Sequence, residues 1–285
     1  MPDAAQRNLL PDGGRLHFHH GPIDLIIAAS GERRTEACEL AWQRFKPLLA
    51  ELVEELPALR SPTPNDRNFR GSVARRMNDA VAPYADQFIT PMAAVAGAVA
   101  DEILQSMETA GGLDKAYVNN GGDTAFYLAS GQSIRAAIAA PSMGRIRVRA
   151  EDPFRGIATS GWRGRSQSLG IADAVSAVAI NAAAADAAAT LIANAVDLPG
   201  HAAIHRSPAR TVFPDSDLGD RLVTVKVGPL TPGETVRALD RGAEYAGDLL
   251  VRGQIAGAVL FLNHEVRRIG ASAKITDLNG ELTNA

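Results

Sequence analysis

From the N-terminus the apolar positions first alternate. Leu16 and Phe18, then Ile23, Leu25 and Ile27, stand on either side of His20-Gly21-Pro22. A period of two marks a half-buried strand and the Gly-Pro pair marks a turn, so residues 15–30 are predicted to form a hairpin. The period then lengthens. Ala41, Phe45, Leu48, Leu49, Leu52 and Leu56 fall on one stripe at helical spacing, which predicts a helix over 34–59. Pro62 and Pro64 end it, because each fixes φ and lacks an N–H. Thr90-Pro91, a hydroxyl at the cap and proline at the first helical position, opens a second helix running to about Met107.

From Lys115 the pattern becomes one of short strands: 116–118, 125–128, 134–139 and 145–149, each bounded by Gly, Asn or Pro. Arg145-Ile146-Arg147-Val148-Arg149 alternates strictly, with one apolar face and one cationic face. A further strand over 174–180 leads into an alanine-rich helix over 182–196, and another strand covers 221–227. Thr231-Pro232-Gly233-Glu234 is a capping box opening a helix to about Arg252. Residues 255–269 close the chain as a hairpin around Asn263-His264. Strands and helices come in groups rather than in strict alternation, which predicts an α+β fold with a largely antiparallel sheet. With 285 residues and no fixed-period repeat, one domain over 1–285 or two closely packed lobes is expected, with a flexible stretch over 1–14.

Composition narrows the partners. Lys and Arg number 29 against 32 Asp and Glu, a formal charge of −3. That argues against nucleic-acid or anionic-membrane binding, which calls for a basic surplus. The longest uncharged run, Gln87–Ala100, is too short to cross a bilayer and contains Pro91. Residues 1–14 carry Asp3, Arg7 and Asp12 and no apolar core, unlike a secretory signal. The single cysteine, Cys38, has no internal disulfide partner and reads as a packed thiol, so a reducing cytoplasm is expected. Abundant alanine and few aromatics suggest small, close interfaces and self-association.

Three constellations carry candidate chemistry. In the first, Asn119, Asn120, Gly121, Gly122 and Asp123 end one strand and begin the next. The glycines would let backbone approach a ligand while the amides read its polar edges; the same residues also spell a two-residue hairpin turn. In the second, Thr159, Ser160 and Gly161 lead into Trp162, Arg163, Gly164 and Arg165. Hydroxyls, free N–H groups and guanidinium forks make a phosphate cradle, with Trp162 able to stack on a planar ring; the alternative is a solvated basic loop. The Gly-Lys-Ser/Thr ending of a P-loop is missing. In the third, Asp186 and Thr190 lie four apart on the alanine-rich helix and so share a face. A carboxylate there calls for a wet surface or a cation, and oxygen ligands suit Mg²⁺ or Ca²⁺. The six histidines, including the His17/His19 pair on one strand face, read as ordinary surface imidazoles.

Taken in order, these three motifs resemble the ApbE-type flavin transferase superfamily, whose members carry Asn-x-Gly-Gly-Asp, Ile-Ala-Thr-Ser-Gly and Asp-Ala-x-Ala-Thr. Here they read Asn119–Asp123, Ile157–Gly161 and Asp186–Thr190. Residues 90–97 and 168–173 resemble the uncharacterised-protein-family branch of that superfamily, and the likeness covers roughly 15–270. It implies a T-fold-like core, FAD or a related flavin as cofactor, and a divalent cation near the pyrophosphate. It also implies transfer of FMN from FAD to a Thr or Ser of an acceptor protein. By the same resemblance Asp186 and Thr190 are metal ligands, with the Ala96 carbonyl as a third. Asn119–Asp123 and Thr159–Gly161 then line the flavin pocket, and Arg163 and Arg165 meet phosphates. Two motifs of the classical transferases are altered: the His of Ser-His-Ile-x-Asp-Pro is Leu169 here, and no Ser-Glu-Leu-Ser segment stands near the N-terminus. Asp173, the acidic residue left in that stretch, becomes the candidate general base. Three readings follow: an FMN transferase, a non-enzymatic flavin-binding module, and an enzyme acting on a small anionic substrate.

Overall fold

The computed structural model describes residues 4–63, 68–137, 145–270 and 275–276. In chain order it holds β1 (Gln6–Leu9), β2 (Leu16–His20), β3 (Ile23–Gly31), α1 (Arg34–Glu54), α2 (Leu56–Leu59), α3 (Ser72–Val81) and α4 (Val95–Glu108). Next come β4 (Leu113–Asn120), β5 (Asp123–Leu128), β6 (Ser133–Ala137), β7 (Arg145–Arg149), β8 (Gly156–Ser160), β9 (Ala174–Ala179) and α5 (Ala182–Ala195). The chain continues with β10 (Ile204–Pro208), α6 (Ala209–Val212), β11 (Leu222–Val227), α7 (Pro232–Val251), β12 (Gly257–Leu262), β13 (Glu265–Gly270) and β14 (Ile275–Thr276). The α+β class with antiparallel pairing is as the sequence predicts. The end of the strand expected over 134–139 lies outside the described residues.

The chain divides into two units. The first comprises Met1–Arg135, Val148–Ile157 and Ile180–Ala184. Its strands run β1-β2-β3-β4-β5-β8, with every pairing antiparallel. α4 lies on β4 and β5, and α1 on β3 and α4. Where α1 meets β2, the Phe18 ring stands edge-on to Trp42 and tilted to Phe45, with centroids 5.1 and 5.3 Å away. Phe18 and Phe45 are wholly buried, each contributing about 1.5–3 kcal/mol by removal from water. An exposed pair such as Arg7–Glu39 is screened by water and adds little beside them. Gln6–Leu9, within the stretch expected to be flexible, pairs with β2, and all four of its side chains are exposed. No apolar alternation therefore announces it.

A polar network ties α1, α3 and α4. Arg44 donates to Glu102 at 2.7 Å and to both oxygens of Glu51, and the Ser72 hydroxyl donates to Glu102 at 2.6 Å. Burial alone would raise the Glu102 carboxyl, but the Ser72 and Arg44 bonds outweigh it and hold it below its ordinary value. Cys38 is buried, and burial pushes its thiol up, as befits a packed side chain.

The start of α5 also belongs to this unit. Asn181 caps it, accepting from the Ala184 N–H at 2.8 Å. Asp101, on α4, accepts from the N–H groups of Ala182 at 3.0 Å and Ala183 at 2.9 Å. Two glycines permit this approach. A Cβ at Gly97 would lie 2.2 Å from the Ala182 carbonyl oxygen, and one at Gly156 2.0 Å from the Asn181 carbonyl carbon.

The second unit comprises Ala136–Arg147, Ala158–Ala179 and Ala185–Ala285. In it β8 is followed by β9-β12-β13, with antiparallel pairing from β9 onward, and α7 lies on β12 and β13. β10 and β11 form an antiparallel ribbon, and β14 pairs with β7. The expected hairpin tip takes the left-handed form, φ 47° at Asn263 and 71° at His264. The expected capping box is present at Thr231 and Glu234. On β7, Ile146 and Val148 are buried while Arg147 and Arg149 are exposed.

Candidate functional site

In the first unit, Asn119 and Asn120 end β4 and Asp123 opens β5, with Asn120 paired to Asp123 across the turn. Gly121 (φ 64°) and Gly122 (φ 123°) form that turn and are exposed. The segment is therefore a two-residue hairpin that also presents open backbone: a Cβ at Gly122 would meet nothing within 4 Å. The Asn119 amide donates to the Thr124 hydroxyl at 2.7 Å. Asn120 is buried and donates to the Ala96 carbonyl at 3.1 Å. One lone pair of the oxygen expected as a third metal ligand is thus taken up by an amide.

In the second unit, β8 ends at Ser160 and the chain turns sharply at Gly161 (φ 156°), where a Cβ would fall 2.6 Å from the Asp173 carbonyl oxygen. Only glycine lets the loop cross the 172–173 backbone this closely. The Trp162 N–H donates to the Ala172 carbonyl at 3.0 Å. The Thr159 and Ser176 hydroxyls share a hydrogen bond of 2.7 Å. Arg165 is exposed. Arg163 lies over the Trp162 ring, 4.7 Å from its centroid, and covers one of the two faces a planar ligand would use.

Asp173, given by the sequence as a general base, is engaged on both oxygens. Oδ1 accepts from Trp162 Nε1 at 3.1 Å and Arg163 Nε at 2.5 Å, and Oδ2 accepts from the Asn263 N–H at 2.8 Å. Here it brackets the Trp162 loop to the β12–β13 hairpin. Asp173→Ala should release that loop. Placed on a Trp42→Phe background, which leaves Trp162 as the sole tryptophan, it is expected to red-shift the emission and increase quenching by iodide. Unchanged emission would show that the bracket does not hold the ring.

Asp186 and Thr190 share one face of α5, both half-buried, while Ala185, Ala187, Ala188 and Ala189 are buried. Asn194 extends that face by one more turn. Its Oδ1 accepts from the Leu169 N–H at 2.9 Å and the Ser168 hydroxyl at 3.3 Å. A Cβ on Gly170 would fall 2.1 Å from the Ala193 carbonyl oxygen, and the Ile171 N–H donates to Val196 at 2.8 Å. The Ser168–Ile171 stretch is therefore fastened to the end of α5. Sequence reasoning missed Asn194 because its partners lie 25 and 26 residues away. The recurrence of Asp186, Thr190 and Asn194 at intervals of four was the available signal. Among the described residues no three His, Cys, Asp or Glu side chains gather to hold a metal ion, and no helix is long and apolar enough to cross a membrane.

The family model described as AbpE bacteria matches residues 7–269. The chain belongs to this family. A UPF0280 protein of Methanopyrus kandleri is 32% identical over 175 residues, covering 60% of this AbpE-family chain and 69% of the relative. A UPF0280 protein of Methanothrix thermoacetophila is 40% identical over 113 residues, 38% of this chain and 46% of the relative. One of Archaeoglobus fulgidus is 33% identical over 138 residues, 48% and 58% of the two chains. The apo crystal structure of Pseudomonas stutzeri flavinyl transferase ApbE aligns over 95% of this chain and 96% of its own, at 14% identity and a TM-score of 0.43.

Proposed function

We propose that this AbpE-family protein binds a flavin nucleotide, FAD or a close relative, through a divalent cation. The observation that carries the reading is the Asp186/Thr190 pair: an oxygen-only donor set on one face of an alanine helix, in the motif order that resembles flavin transferases. Carboxylate and hydroxyl oxygens fit Mg²⁺ or Ca²⁺ and not a thiophilic metal. The cation would offset phosphate charge. Within the second unit Thr159–Gly161 would approach the flavin, Trp162 would offer a ring face, and Arg163 and Arg165 would meet phosphates.

Binding without transfer is favoured over FMN transfer to an acceptor protein by one specific observation. Leu169 cannot carry a proton, and Asp173 would have to give up three donors to act as a base. Transfer requires a Thr or Ser hydroxyl of the acceptor to form the new P–O bond while AMP departs, with that hydroxyl's proton passing to a base. The test is chromatography of FAD after incubation with protein and Mg²⁺. Intact FAD is expected; release of AMP would overturn the binding-only reading in favour of transfer or hydrolysis.

A further inference from the structure

Helix α5 carries three half-buried polar side chains at successive turns, Asp186, Thr190 and Asn194. The first two belong to the motif; the third does not. Amide orientation is ordinarily ambiguous, but here the partners decide it. The Leu169 backbone N–H can only donate, so the atom it meets at 2.9 Å is the oxygen. The Ser168 hydroxyl reinforces that choice at 3.3 Å, and is itself held by the Gly170 N–H at 3.2 Å. With Oδ1 pinned by two donors, the NH₂ group is left on the other arm of the Asn194 amide, and it donates to nothing among the described residues. A helix rises 1.5 Å per residue, so this donor sits about 6 Å along the axis from Thr190 and about 12 Å from Asp186. An anion held by a cation at those two residues would extend past them, and its further oxygens need donors.

We propose that Asn194 is a ligand-binding residue, whose NH₂ group donates to an anionic oxygen of the molecule bound at the Asp186–Thr190 face of α5. The proposal deepens the cation-and-nucleotide reading and rests on it. Leu169 and Ser168 serve as the fixed backing that aims the amide. Pre-orientation by two donors means that little freedom is lost on binding, which is what makes a single neutral donor worth having.

Asn194→Asp isolates the donor. A carboxylate keeps an oxygen for Leu169 and Ser168, so the backing is preserved, but it replaces N–H by a negative charge facing the anion. Four ligand conditions are compared by calorimetry in wild type and variant: Mg²⁺ alone, FAD with Mg²⁺, pyrophosphate with Mg²⁺, and FAD without metal. The expected result is an unchanged Tm, Mg²⁺ affinity at or above wild type, and at least a tenfold loss of FAD and pyrophosphate affinity in the presence of Mg²⁺. A merely structural Asn194 predicts no such loss, and wild-type affinity in Asn194→Asp would overturn the proposal while leaving the flavin reading intact. If wild type binds pyrophosphate but not FAD, and Asn194→Asp loses the pyrophosphate, the flavin reading fails and this inference stands. If wild type binds neither, both fall. The wild-type protein gives an independent readout should the variant fold poorly. The Asn194 side-chain amide resonances, assigned by their loss in Asn194→Ala, should shift on addition of pyrophosphate with Mg²⁺; resonances that do not move would overturn the proposal.

Discussion

Replacing Asp101 with alanine is expected to cost several kcal/mol at pH 4, and the deficit relative to wild type should narrow by about 3 kcal/mol by pH 7.5. Two effects compete at this residue. Its carboxylate satisfies two N–H groups at the start of α5, and leaving a buried donor unpaired costs about 1–3 kcal/mol each. Against that, Asp101 is only 8% exposed. Burial raises its carboxyl from 3.8 to about 6, even though the Ala183 and Ala182 bonds and the Arg76 charge pull it down. A folded pKa above the unfolded one means that the folded state holds the proton more tightly. The stability this supplies is complete below pH 3.8 and is lost as pH rises through 6. A rise of about 2 units at about 1.36 kcal/mol each gives the expected 3 kcal/mol. Asp101→Asn keeps one acceptor oxygen and carries no titrating carboxyl, so its stability should vary less over the same range. Urea midpoints at a series of pH values, with wild type, Asp101→Ala and Asp101→Asn compared, read this directly. A deficit that widens toward neutral pH would mean that the two amide bonds outweigh burial and the folded carboxyl titrates below 3.8.

Asp186→Ala should abolish cation-dependent nucleotide binding, a loss of more than about a hundredfold, since the donor set would lose its charged ligand. Alanine has the higher helix propensity by roughly half a kcal/mol, so the helix itself is expected to remain intact, which circular dichroism checks. Thr190→Val, which keeps the shape and removes the oxygen, should weaken Mg²⁺ binding by a smaller factor, about tenfold. Calorimetric titration with Mg²⁺ and with FAD in its presence measures both. Retained Mg²⁺ dependence in Asp186→Ala would remove the metal assignment.

What the sequence made legible was local. The His20-Gly21 and Asn263-His264 turns, the Thr231–Glu234 capping box and the alternation over Ile146–Arg149 each bring their cause within a few residues, and each is present as expected. The first strand was illegible because all four residues of Gln6–Leu9 are exposed and carry no apolar alternation. α3, over Ser72–Val81, lies between the two-proline segment and Thr90-Pro91, a stretch for which no element is predicted, although Val73, Ala74, Met77 and Val81 are buried. The larger omissions are relations across the chain. Asp101 caps a helix that begins 81 residues later. Gly97 and Gly156 are glycines because the Asn181–Ala182 backbone comes within reach of their missing side chains.

The candidate site divides in the same way. Asn119–Asp123 could be read as a hairpin turn from Asn-Gly alone, and Asp186/Thr190 as one helical face from their spacing. The state of Asp173 could not, because a carboxylate open to a substrate and one bracketing Trp162, Arg163 and Asn263 have the same sequence. Asn194 was likewise hidden, since an Asn near a helix end has many ordinary uses until Leu169 fixes which of its atoms faces inward.

The most direct test of the central claim is a calorimetric titration of the purified protein with FAD in the presence of Mg²⁺ and again in excess chelator. Saturable one-to-one binding that weakens more than about a hundredfold when the cation is removed is the predicted result. Binding of equal strength in chelator, or no binding in either condition, would contradict it.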